Sequence, residues 1–544
     1  MGRRSGWLRN ATLVRALLSF GFAFTAEWAF TVALGLVAYA DGGALAVGVV
    51  GLLRLLPAAV LAPVITAYAD RRPREHVLVA SSLVRGLSTL AAAPVLAFGG
   101  PTWVVYALAV VSTVAFTPFR ASHSALMPSL CRTPDELTSV NVVRGGLDSV
   151  SVVVGPLVAA LLVALTGVAA VFVFAGLCAL ASALLVVRLR YERIPLPARE
   201  QLQVAREVRE GFDAVATRPG LSVVVGLVVL QSAIRGAFTV FVLVVALDLL
   251  GGSESSVGVL QGAVGIGALV GSLLCTLLVG SRAMTRWLGL GVVLWGMPLL
   301  VMGLVPGYVV ALAAAAVIGV GNALVDVTAF TLIARMVPNA LLARVFGLLE
   351  SGGATAVALG SLAAPLLSGL VGARGALVAV GAVPAVVCVL GWRRLTSIDR
   401  TVSVRTDDIV LLRRVPMLRP LPVPVVEGLA SGLEHLALGP DRTVFTAGDA
   451  GDSFYVIESG SVEVLDRGRL VRTMGSGEGF GEIALLGDTT RTMTVRTLGP
   501  VHLAAIRRAV FLPAVTSTRE SYSAADEARR SHLRNAPGAG GEGY

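Results

Sequence analysis

The chain has 544 residues, 55% of them apolar and 14% charged, with a mean hydropathy of +0.81. Soluble globular chains carry roughly 25% charged residues, so a large soluble enzyme, a disordered chain and a secreted disulfide scaffold are excluded. The formal net charge is +10, and all 44 basic residues are Arg, a usage that reads as coding bias and not as phosphate recognition.

Apolar runs long enough to span hydrocarbon recur along the chain. Twelve spans are predicted at roughly 11–40, 44–68, 76–98, 102–119, 140–164, 167–187, 221–250, 256–279, 287–305, 308–333, 345–371 and 374–392. The first follows Arg3, Arg4 and Arg9 as a signal peptide would, but its apolar stretch is too long for one. The N-terminus and every second connection together hold 19 arginines, and the opposite side holds only Arg374. By the positive-inside rule the N-terminus, the central connection and everything after residue 393 face the cytoplasm, with the cell membrane as the expected location. The basic charge is then a topology signal, and nucleic acid is not an expected partner. Cys131, Cys178, Cys275 and Cys388 lie in or beside apolar segments without a CxxC pair and read as packing residues. No metal site is expected.

The segment Ser139–Leu162 aligns with Arg344–Leu367 at an offset of 205. The predicted architecture is therefore an all-α polytopic domain of two six-helix halves, 1–190 and 221–395, joined by a cytoplasmic connection at 191–220. Parallel repeats of this kind leave a cleft between the bundles.

On these residues the first 395 or so resemble the major facilitator superfamily of secondary transporters. The loop Ala69-Asp70-Arg71-Arg72-Pro73-Arg74 is close to that family's G-x-x-x-D-R-x-G-R-[RK] loop, with Thr66 and Pro73 in place of its glycines. The resemblance implies a conformational latch at Asp70, Arg71 and Arg74. APVITAYADR, MPSLCRTPDELTSVN and VPNALLARVFGLLES look most like the drug- and siderophore-exporter branch, which implies export of a small molecule.

Ionisable residues inside spans are costly in hydrocarbon and face a cavity or one another. They are Glu27, Arg54, Arg85, Arg144, Asp148, Arg235, Asp248, Asp326 and Glu350. Arg85, Arg144 and Asp248 are placed near an interface, where long side chains snorkel. Arg144 and Asp148 stand at the spacing of a pair on one helix face. The deeper set, Glu27, Arg54, Arg235, Asp326 and Glu350, either lines the transport path or forms structural pairs between helices. Glu27, Asp326 and Glu350 are candidates for proton coupling. The dense glycines, as in Gly258–Gly271, read as sites of close helix approach.

Long apolar runs stop near residue 396. A polar linker is expected at 396–407 and a second domain, α+β with a β-roll or jelly roll, at 408–533. Short helices are predicted through Leu438, with Asp408 as an N-cap. Strands follow at Thr443–Phe445, Phe454–Glu458, Ser461–Leu465 and Leu470–Met474, separated by turns rich in Gly and Asp. In GFGEIALLGDTTRTMTV (479–495) a Gly-flanked turn leads into a short helix, Ile483–Leu486, whose first N–H groups suit an anion. Glu482 and Arg491 around one pocket ask for a ligand with both a sugar hydroxyl and a phosphate.

This stretch resembles the phosphate-binding cassette of cyclic nucleotide-binding domains. It stands here as Phe480-Gly481-Glu482-Ile483-Ala484-Leu485-Leu486 and Arg491-Thr492-Met493-Thr494-Val495, with Thr490 for a common proline and Met493 for a common alanine. The resemblance implies that Glu482 and the Gly481 amide hold the ribose 2′-hydroxyl. It assigns the cyclic phosphate to Arg491 with the Ala484 and Thr492 amides. The implied site is Phe480, Gly481, Glu482, Ile483, Ala484, Arg491 and Thr492. Its implied regulatory ligand is cAMP or cGMP, with no cofactor. Residues 520–533 are read as a lid helix with Tyr522 over the base, and 534–544 as a flexible tail. The expected function is a secondary transporter in the lipid bilayer, regulated by a cyclic nucleotide. The alternative is a membrane-anchored nucleotide receptor that has lost transport. A gated channel is disfavoured by the missing filter motif, and an enzyme by the lack of a nucleophile–base set or P-loop.

Overall fold

The computed structural model describes residues 10–516 except 70, 132–133, 188, 190–203, 279–282, 338, 422 and 488. Asp70, the lid at 520–533 with Tyr522 and the tail at 534–544 lie outside the described residues. The chain divides into two compact units, Met1–Asp399 and Arg400–Tyr544.

In the first unit, ten helices among the described residues are long and apolar enough to cross a membrane. Two of them, Ala11–Ala62 and Arg344–Asp399, hold 52 and 56 residues. At roughly 1.5 Å per residue each is over twice the roughly 30 Å of hydrocarbon. The first breaks at Gly42 and Gly43 and the second at Gly372, where Gly43 has φ +62° and Gly372 φ +76°. Each is thus two spans in series, and the twelve expected spans are present in order. One boundary differs. After a turn at Thr117–Pro118 the fourth span goes on as a helix, Phe119–Leu130. Arg120, just beyond the expected end of the span at 119, therefore sits on a helix and is held 3.0 Å from Asp148.

The repeat is visible in the contacts between the halves. A Cβ on Gly48 would stand 2.5 Å from the Ser361 carbonyl oxygen, and one on Gly258 2.5 Å from that of Pro156. The helix holding Ser361 and the helix holding Pro156 are the two aligned segments, so one contact is made twice, once in each direction. Both contacts lie within about three turns of Gly43, Gly167 or Gly372. At the other end Gly145, Gly146, Gly347 and Gly352 face open space. The halves touch at one end of the bundle and part at the other.

Glycine also sets the closest approach inside the second half. A Cβ on Gly319 would stand 1.9 Å from the Val264 carbonyl oxygen, and one on Gly267 1.8 Å from that of Ala316. No side chain fits there. Gly319→Val is expected to lower the stability of this half by about 1–3 kcal/mol or more. The melting temperature and monodisperse yield of the purified chain measure this, with Gly226→Val, at a site with nothing within 4 Å, as the unaffected control.

The second unit is an antiparallel β-sandwich flanked by helices. Its strands are β1 (Leu433–Leu438), β2 (Thr443–Phe445), β3 (Ser453–Ser459), β4 (Ser461–Asp466), β5 (Arg469–Gly475), β6 (Gly479–Phe480), β7 (Thr494–Thr497) and β8 (Val501–Arg507). One sheet has the order β1-β8-β3-β6 and the other β2-β7-β4-β5. Ile457, Val462, Met474, Phe480, Val495, Val501 and Leu503 form the core between them, while Phe454, Val456, Ala504 and Ile506, on the opposite face of β3 and β8, belong to a second core with the helices of this unit.

Two local expectations are corrected, at Asp408 and at Leu433–Leu438. The segment 396–407, expected as a polar linker, is helical, part of the helix Asn339–Arg414. Its Ser, Thr and Arg residues carry no Gly or Pro to stop a helix. Asp408 is not an N-cap: it lies inside that helix, buried, with its Oδ1 3.5 Å from His435 Nε2. Burial pushes its carboxyl up, with His435 opposing. Leu433–Leu438 is a strand and not the end of a helical stretch. It is an edge strand with mostly exposed residues, ordered by pairing along its length with β8.

Candidate functional site

In the second unit β6 ends at Phe480 and is followed by Gly481, whose φ of +95° only glycine adopts without strain. The chain turns there into the short helix Glu482–Leu486. A Cβ on Gly481 would meet Arg491 Nη1 at 2.7 Å, so the glycine also makes room for the arginine. Arg491 is drawn inward: its side chain is 2% exposed. Its Nη1 donates to Gly481 O at 2.9 Å, and its Nη2 donates to Ser453 O at 2.7 Å. The guanidinium lies 4.1 Å from the Phe445 ring centroid. Burial pulls its pKa below the ordinary arginine value, while Tyr455, Asp452 and Glu482 oppose the shift.

Arg491 Nε is buried and has no hydrogen-bond acceptor among the described residues. An unmet charged donor is costly in such a place, and an anion's oxygen would satisfy it. Glu482, 1% exposed, stands at the same turn. Phe480 stacks on Tyr455 with centroids 5.4 Å apart. Phe480, Gly481, Glu482, Ile483, Ala484, Arg491 and Thr492 all border one cavity. Arg472 and Met474 of β5 and Val464 of β4 close its other wall. The sequence reading missed these three. Their signal was the alternation along the two strands, which shows the face but not what it covers.

In the membrane unit the expected residues fall into two groups. Glu27 sits between two arginines, 2.6 Å from Arg54 and 2.7 Å from Arg85. Arg85 does not snorkel. Its side chain is 2% exposed, lies 4.0 Å from the Phe116 ring centroid and donates to Ala23 O at 3.2 Å. Arg54 donates to Thr31 Oγ1 at 3.3 Å, and its Nε has no acceptor among the described residues. The second group is exposed. Asp326 accepts from Asn322 Nδ2 at 2.9 Å and interacts electrostatically with Arg235 and Glu350 of its own half and with Arg120 and Asp148 of the other. These charges come from both halves and face the cleft. The Arg144–Asp148 pair expected on one helix face is not made: Asp148 pairs with Arg120, and Arg144 Nη1 donates to Ser124 Oγ at 2.6 Å. Asp248 accepts from the Tyr39 hydroxyl, linking the first and seventh spans. Of the latch residues, Asp70 lies outside the described residues, Arg71 is exposed at the turn and Arg74 opens the helix Arg74–Ala97.

The family model of the major facilitator superfamily matches residues 16–278 and 224–437, two overlapping stretches that together take in both helical halves. The chain belongs to the major facilitator superfamily. To that superfamily's transporter fold it adds a cyclic nucleotide-binding domain, matched at residues 436–517. Among solved structures the chain is similar to the nucleoside transporter NupG, with a TM-score of 0.60 at 13% identity over 72% of this chain and 100% of that one. It is also similar to a POT family transporter, with a TM-score of 0.58 at 12% identity over 71% and 96%. At such identities the likeness is one of fold. Among curated proteins, a cAMP-dependent protein kinase regulatory subunit of Yarrowia lipolytica is 42% identical over 86 residues, 15% of this chain and 23% of that protein. The protein of the same name in Blastocladiella emersonii is 33% identical over 125 residues, 22% and 31% of the two chains. An uncharacterized Mycobacterium tuberculosis protein is 41% identical over 69 residues, 13% and 14% of the two chains. The chain spans less than a third of the length of these curated relatives.

Proposed function

We propose that this superfamily member is a small-molecule exporter of the cell membrane whose transport is regulated by cAMP bound to its C-terminal domain. The observation that carries the reading is Arg491, a buried guanidinium with an unmet Nε, at one turn with Glu482. The pair offers a donor to a phosphate and an acceptor to a sugar hydroxyl. The identity with regulatory subunits named for cAMP dependence favours cAMP over cGMP. The arginine bias places both termini in the cytoplasm, so the pocket meets the nucleotide where cells make it. In that orientation the cleft opens inward, and Asp326 and Glu350 face the cytoplasm. Neither has an ion-pair partner among the described residues, which suits them to exchange protons.

Regulation requires the nucleotide to favour one transport state over the other by about 1–3 kcal/mol. Transport into inside-out vesicles, with cAMP at saturation and without it, tests this: equal rates sink the regulatory reading. Binding itself has a separate readout. At a hundred times its Kd, cAMP is expected to stabilise the second unit by about 2.7 kcal/mol, seen as a rise in its melting transition in the purified full chain. No rise would refute nucleotide binding.

A further inference from the structure

The charges that face the cleft are paired unequally in the two halves. On the N-terminal side each arginine is already engaged. Arg120 is 3.0 Å from Asp148 and 4.8 Å from the Phe24 ring centroid, and Arg144 is 5.6 Å from that of Phe20. The protein's own cations cap these rings. The C-terminal side is different. Asp326 and Glu350 lie on neighbouring helices, and each has a phenylalanine one turn away on the same face, Phe330 and Phe346. The two rings stack at 4.9 Å with 22° between their planes. Phe330 is 46% exposed, and among the described residues no guanidinium lies over either ring. Asp326 is drawn to Arg235 of this half and to Arg120 of the other, while Glu350 makes no ion pair among the described residues.

We propose that the cleft takes an aromatic or otherwise lipophilic organic cation, recognised by Asp326 and Glu350 together with the stacked rings of Phe330 and Phe346. This rests on the transporter reading above and specifies its substrate. The carboxylates supply the counter-charge, and the rings supply apolar area and a negative face to a desolvated cation. An anion would meet two acidic groups here, while the arginines opposite are committed to Asp148, Ser124 and their own rings.

Two probes of one shape and opposite charge test the proposal on the purified full chain: tetraphenylphosphonium and tetraphenylborate. The cation is expected to bind. Its affinity is expected to fall on the order of tenfold in Glu350→Gln and in Phe330→Ala, the effect of losing one charged or one aromatic contact to a cation. Both sites are exposed, so the fold should survive, and an unchanged melting temperature checks it. The proposal is overturned if tetraphenylborate binds as tightly as the cation. It is equally overturned if the cation does not bind, or if both variants bind it like the parent. Vesicles separate this from the transporter reading. Charge-selective binding without passage of the cation keeps the site and removes transport. Passage of a neutral or anionic compound, with the cation excluded, keeps transport and removes the substrate class.

Discussion

Arg491→Ala is expected to reduce the affinity of the full chain for cAMP by about 30-fold to several thousand-fold, the effect of about 2–5 kcal/mol from truncating one member of a buried charge pair. The size follows from the two roles of one side chain. Its Nη atoms tie Gly481 O to Ser453 O and so hold the turn at the start of Glu482–Leu486. Its Nε is left for the ligand. Alanine removes the donor and loosens the turn that carries Glu482. Arg491→Lys keeps the charge but has no fork, so it cannot bridge both carbonyls and still reach an anion. It is expected to recover only a small part of the loss. Calorimetric titration with cAMP reads both variants, and an affinity within threefold of the parent in Arg491→Ala would remove Arg491 from the site.

The second large effect is expected at Glu27. Its carboxylate is the shared partner of Arg54 and Arg85, at 2.6 and 2.7 Å, with the Arg85 side chain only 2% exposed. Glu27→Ala leaves two buried guanidiniums without a counter-ion, a class of change that costs about 3–5 kcal/mol. The variant is expected to be poorly folded in detergent and inactive in vesicles. Glu27→Gln keeps the shape and an acceptor oxygen but loses the charge, and falls between. Glu350→Gln is the contrast: Glu350 is exposed and has no ion-pair partner among the described residues, so the melting temperature stays and only function changes. An unaltered melting temperature in Glu27→Ala would mean that water or a rearranged neighbour already compensates the arginines, and would return Glu27 to the transport path.

These two sites also show how far the sequence reaches. The pocket was legible because its chemistry is local. Gly481, Glu482 and Arg491 lie within one short stretch, and the left-handed turn at Gly481 follows from the residue type. The twelve spans were legible because hydrocarbon thickness sets a length that shows in one dimension. Arg85 was not legible. Whether an arginine in the third span snorkels or is buried depends on which helix face meets it, and Glu27 and Phe116 come from other spans. The same holds for Asp148, whose partner is Arg120 on another helix and not Arg144 on its own. Strand β1 was misread because an edge strand with exposed side chains has little period of its own, and β8 orders it from far along the chain.

The sequence by itself determined the membrane class, the two-fold internal repeat and the cassette, since each rests on a composition, a length or a motif within a single segment. Only the tertiary structure decided which charges neutralise one another, where the halves touch, and which carboxylates and rings remain unengaged in the cleft. Those outcomes depend on which helices become neighbours, and Coulomb and packing energies act on distance in space, not on separation along the chain.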